Sequence, residues 1–160
     1  MRRTIITLYL LAMLAAVSSP GQAQQDPLLG TWKQNLAKSQ YDPSTRAPKI
    51  PTTVRRTAVG INGYKQTTDG MNAQGAATHT EFTANWDGKD YPVTGSADYD
   101  SVSLKKIDAF TLITVNKRSG VVVRMLRTVV SKNGKTSTSA VIGYTMQGVA
   151  FHNVVVLDKQ

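Results

Sequence analysis

The chain has 160 residues, no cysteine, and 19 Lys and Arg against 10 Asp and Glu, a formal charge of +9. That length suits one domain of ordinary size, and the missing cysteine excludes disulfides and a lipidated N-terminus. The basic doublets Arg55-Arg56, Lys105-Lys106 and Lys117-Arg118 lie in separate segments. They read as solvated strand faces and edge protection, not as a stripe for nucleic acid.

The first element is an address. Met1-Arg2-Arg3 gives a short basic start, Ile5 to Val17 an apolar run of 13 residues, and Gly21-Gln22-Ala23 a small-x-small end. A run shorter than the roughly 20 residues that span a bilayer, with these flanks, predicts a signal peptide cut between Ala23 and Gln24. Residues 1–23 are thus expected to be removed, and residues 24–160 to form one exported domain, periplasmic or secreted. Losing Arg2 and Arg3 leaves 17 basic against 10 acidic residues, or +7. For an exported protein that charge suits an anionic envelope surface or small anions rather than nucleic acid. No later segment is long and apolar enough to predict a second membrane span.

The mature region is predicted to be all β. Asn62-Gly63, Asp69-Gly70, Asp87-Gly88, Ser119-Gly120 and Asn133-Gly134 are dipeptides that supply the positive φ angles of tight hairpins. Segments rich in Val, Thr, Ile and aromatics lie between them and predict strands near 29–35, 52–59, 63–68, 77–86, 90–93, 101–107, 110–117, 121–131, 135–143 and 149–158. A Pro-containing connection, Leu36 to Pro51, separates the first two, and a stretch of that length suits either a lid or a crossing over one end.

Alternation indicates which residues face inward. Thr78, Thr80, Phe82, Ala84 and Trp86 share one face; so do Phe110, Leu112, Thr114 and Asn116, and so do Val149, Phe151, Asn153, Val155 and Leu157. Apolar faces that also carry Thr and Asn suit an antiparallel meander β-barrel with a partly polar interior better than a dry sandwich. Closure would also remove the open edges that a ten-strand sheet leaves.

Leu29-Gly30-Thr31-Trp32-Lys33 opens the domain with Gly-x-Trp on the first strand, followed by a long connection and a meander. This resembles the lipocalin and fatty-acid-binding (calycin-like) barrels, and the resemblance implies a Trp closing one end and a cavity for a small hydrophobic ligand. The run Gly30 to Ser39, with Tyr91-Pro92-Val93-Thr94-Gly95, also looks like a group of small exported bacterial proteins without assigned activity. Two family features are missing: residues 149–158 contain no Arg to stack on the Trp, and no Arg-x-Tyr pair stands near the end.

The sequence shows no catalytic constellation. It lacks G-x-S-x-G and a phosphate-binding glycine loop, and its acidic residues sit at turns. His79 and Glu81 share a face but gain no third metal ligand, so neither a metal nor a cofactor is expected. The remaining candidates are apolar. Trp32, Phe82, Trp86, Phe110, Met125, Tyr144 and Phe151 are candidates to line a ligand cavity. Arg124 and Arg127 join them, since Arg55, Arg124 or Arg127 would anchor an acidic head group. The offset of three puts Arg124 and Arg127 on opposite faces of a regular strand. The expected function is that of an exported carrier or scavenger of an apolar or amphipathic molecule. The alternative is a basic, solid-cored scaffold bound to an anionic envelope surface.

Overall fold

The structure is a computed structural model in which residues 26–72 and 74–160 are described; the expected signal peptide lies outside them. Eleven antiparallel strands follow in order: β1 (Gly30–Gln34), β2 (Gln40–Asp42), β3 (Thr53–Val59), β4 (Gly63–Met71), β5 (Ala77–Asn85), β6 (Asp87–Thr94), β7 (Ser101–Lys106), β8 (Thr111–Arg118), β9 (Val121–Val130), β10 (Thr136–Tyr144) and β11 (Ala150–Lys159). A single 3₁₀ turn, Ser44–Arg46, is the one helical element among the described residues. From β3 onward each strand pairs with the next, and β1 pairs with both β3 and β11, which closes the ring. Among the described residues no helix is long and apolar enough to cross a membrane.

The long connection contains a strand that no sequence pattern marks. β2 pairs Gln40 to Asp42 with Val154 to His152 of β11, beyond the stretch of β11 that β1 occupies. Asn35 and Ser39 bridge the break. The Asn35 side-chain oxygen accepts from Lys38 N at 3.1 Å, and the Ser39 hydroxyl accepts from Val156 N at 3.0 Å. The backbone groups of β11 therefore stay paired where the first strand bends away.

One expected turn is strand interior instead. Asp69-Gly70 lies within β4, and the reversal comes at 72–76, where the Asn72 side-chain oxygen accepts from Gln74 N and Ala76 N. Asp87-Gly88 opens β6 one residue after β5 ends and, as expected, reverses the chain, with Gly88 at φ +77°; the register to β7 also shifts there, between Asp87 and Asp90. Ser119-Gly120 and Asn133-Gly134 also reverse the chain, with φ +48° and +80° at the first pair.

The β5–β6 seam is the weakest part of the ring, with only Glu81–Thr94 and Phe82–Val93 in register. Val93 N donates to Asp100 O of the β6–β7 connection, so the nitrogen of Pro92 faces β5, and it has no proton to give.

Consecutive connections alternate between the barrel's ends and divide its interior. At one end Leu28, Trp32, Leu104, Leu112 and Val130 are almost fully buried and pack with Trp86, Tyr91 and Phe110 into a floor. Each such large side chain contributes about 1.5–3 kcal/mol through its burial. The other end carries the connections at 35–52, 72–76, 95–100, 119–120 and 145–149, and it is open.

Candidate ligand cavity

Above the floor lies a cavity of about 640 Å³, within the roughly 300–1,000 Å³ of small-molecule sites. Alternation supplies its wall. Thr52, Val54 and Arg56 reach it from the β3 side, Tyr64, Gln66 and Thr68 from β4, and Thr78, Thr80 and Phe82 from β5. Opposite stand Thr114 and Asn116 of β8, Arg124, Leu126 and Thr128 of β9, and Asn153, Val155 and Leu157 of β11. Tyr41, Thr45, Arg46 and Pro48 bring the 36–51 connection across the open end. A smaller recess of about 310 Å³ sits in the mouth, lined by Arg46, Tyr99, Arg118, Arg124, Tyr144 and Phe151 among others.

The polar wall is ordered by its own hydrogen bonds. Gln34 donates to the Tyr41 hydroxyl and accepts from Thr52 N at 3.2 Å. Thr128 and Ser139 share a hydroxyl pair at 2.8 Å. Burial pushes the Tyr41 phenol up, against the Gln34 bond that lowers it.

Three guanidinium groups reach this space. Arg56 is 8 % exposed. Its Nε donates to Gln66 Oε1 at 2.8 Å, its Nη1 lies 3.5 Å from the Leu28 carbonyl, and its charge lies 5.7 Å from the Tyr64 ring centre. The Tyr64 pKa is raised mainly by burial; Arg56 opposes the rise and Asp26 adds to it. Arg124 donates from Nε to Asn116 Oδ1 at 3.0 Å and stacks 4.5 Å over Tyr99. Arg46 stacks 4.0 Å over Phe151, and its Nε is buried without a hydrogen-bond partner. None of the three has a carboxylate within 4.0 Å among the described residues. Asp98, on the rim, is the one acidic residue in either lining among the described residues, and Asp26, whose charge is felt by Tyr64, is held by Lys106.

The sequence candidates separate into four places. Phe82 and Arg124 line the cavity, and Tyr144 and Phe151 line the mouth recess. Trp32, Trp86 and Phe110 do not reach the cavity, because they form the packed floor. Met125 and Arg127 do not reach it either. On β9 the inward residues are Arg124, Leu126 and Thr128, so their neighbours face solvent, with Met125 42 % exposed. Arg55 likewise points outward and pairs with Asp69 at 2.7 Å. Asp69 also takes the His79 ring at 2.6 Å, and this bond, ahead of the Arg55 contacts, lowers its pKa. Glu81 pairs with Lys65 at 2.9 Å, and no cluster of three metal-ligating side chains occurs among the described residues.

Arg56 is the residue that sequence reasoning missed. Its signal was available: it shares the inward face of Val54, whereas Arg55 shares the outward face of Thr53 and Thr57.

A closed antiparallel meander with one packed end, one open end and a cavity between them is a calycin-like barrel. In particular, the chain is similar in structure to the zebrafish ileal bile acid-binding protein complexed with cholic acid, with a TM-score of 0.53 and 13 % identity over 84 % of this chain and 99 % of that one. At that identity the likeness is one of fold. No protein-family model matches the chain, and no curated protein matches its sequence significantly.

Proposed function

We propose that this protein is an exported, non-enzymatic carrier that holds a small amphipathic molecule with an acidic group inside its barrel. The observation that carries this reading is the cavity of about 640 Å³ into which three arginines project without a carboxylate partner. A buried, uncompensated charge is costly, and an anion entering the cavity would relieve that cost through charge-assisted bonds. Phe82, Leu126, Val141 and Val155 give the rest of such a molecule apolar contact. The structural neighbour was crystallised with cholic acid, an amphipathic acid of this kind. The cavity argues against a solid-cored scaffold, while the +7 expected for residues 24–160 suits an anionic envelope surface as a second partner of the exterior.

Native mass spectrometry of the protein recovered from the exported fraction of its own host tests both halves. The expected spectrum shows a chain beginning at Gln24 that carries a bound molecule released by organic solvent. A chain retaining residues 1–23 inside the cell overturns the export. An empty barrel that also fails to enhance 8-anilinonaphthalene-1-sulfonate fluorescence overturns the carrier.

A further inference from the structure

Resting on the carrier reading, we infer that the ligand is acidic at both ends: one anionic group at the cavity floor on Arg56, and a second at the mouth on Arg124 and Arg46. The two positive poles are separate. Arg56 reaches down to the carbonyl of Leu28, a residue of the packed floor, and is held there by Gln66. Arg124 and Arg46 line both the cavity and the mouth recess, each laid on an aromatic ring of the rim, Tyr99 and Phe151.

A molecule with one acid and an apolar tail would leave one pole unserved. With its acid at the mouth, its tail presses against Arg56 and leaves a buried cation unpaired. With its acid on Arg56, its tail lies against the half-buried Arg46 and Arg124. The floor pole is the more demanding, because Arg56 is 8 % exposed and its polar contacts among the described residues are a neutral amide and a carbonyl. The wall between the poles mixes Thr80, Thr114 and Thr128 with Phe82 and Leu126, which suits a connecting body that is itself only moderately apolar. An acid at the inner end, whose desolvation would be costly against an apolar wall, is here the partner that the buried Arg56 guanidinium lacks.

The experiment compares dodecanedioate with dodecanoate, two probes alike except for the second carboxylate, by displacement of bound 8-anilinonaphthalene-1-sulfonate from the wild-type protein. The diacid is expected to bind roughly ten- to a hundred-fold tighter, the factor that a bond to a charged partner supplies. The preference should vanish in Arg56→Gln, persist in the outward-facing control Arg55→Gln, and be retained in Arg56→Lys. Equal binding of the two probes, or tighter binding of the monoacid, overturns the two-ended ligand and leaves the carrier standing. Failure of both probes to displace the dye overturns the two-ended ligand, and failure of the dye itself to bind overturns the carrier with it. The wild-type comparison decides the matter without requiring any variant to fold.

Discussion

Gly30 and Trp32 show how a short sequence signature is physically enforced. Gly30 has φ +113°, and a Cβ there would come within 2.8 Å of the Lys159 side chain. The room it leaves lets the Lys159 stem pass, and the ammonium ends 5.0 Å from the centre of the Trp32 ring. The cation over this Trp is therefore a Lys, on the last residue of β11. Trp32 is fully buried in the floor, so Trp32→Ala removes a large packed side chain from a site with little room to collapse. We expect it to cost about 3–5 kcal/mol, read from the midpoint of urea unfolding, and a loss below 1 kcal/mol would show that the floor is not the barrel's principal core. Arg55 and Arg56 teach a second lesson at this scale. Adjacent residues on a strand point to opposite faces, so the inward member of a basic doublet is legible only once the register is known. Composition alone favours neither.

At the scale of elements, the ten strands expected from β-rich segments between turn residues are all present, because runs such as 77–86 and 149–158 alternate over enough residues to declare a period. β2 went unread because three residues, Gln40 to Asp42, are too few to show alternation, and its existence depends on free backbone groups of β11 more than on its own side chains. Asp69-Gly70 misled for a related reason. Gly70 needs no positive φ; its open Cβ position lies 3.1 Å from the Thr52 hydroxyl, so its smallness serves a close approach inside β4. The β5–β6 seam was also partly legible, since a Pro in the middle of a strand marks an incomplete ladder. With two registered pairs there against nine between β10 and β11, opening should begin at that seam. Native-state hydrogen exchange is expected to release amides of residues 83–91 well before those of 137–143. Equal protection of the two regions would mean that the seam is sealed by contacts other than its ladder.

At the scale of the whole molecule, closure and charge act against each other. Joining β1 to β11 removes the free edges on which an open sheet would aggregate, but it also encloses the guanidinium of Arg56 away from bulk solvent. The sequence announced the barrel and its partly polar interior, but not what that interior holds, because Thr, Gln and Asn on an inward face look the same whether they line water, a ligand or one another. Enclosing an unpaired cation without its ligand destabilises the empty barrel, and replacing it with an apolar side chain of similar size should remove that penalty at the expense of binding. Arg56→Leu places an apolar side chain on the Tyr64 side of the cavity and leaves the Gln66 amide bonded to Thr68 at 3.2 Å. The variant is therefore expected to unfold at an equal or higher temperature than the wild type when both are empty. Addition of the diacid at about 100 times its wild-type dissociation constant should stabilise the wild type by about 2.7 kcal/mol and leave the variant nearly unmoved. The order of thermal midpoints should thus reverse on adding ligand. If Arg56→Leu unfolds well below the wild type in the empty state, the guanidinium is holding the floor together, and the cost assigned to its burial is not there for a ligand to relieve.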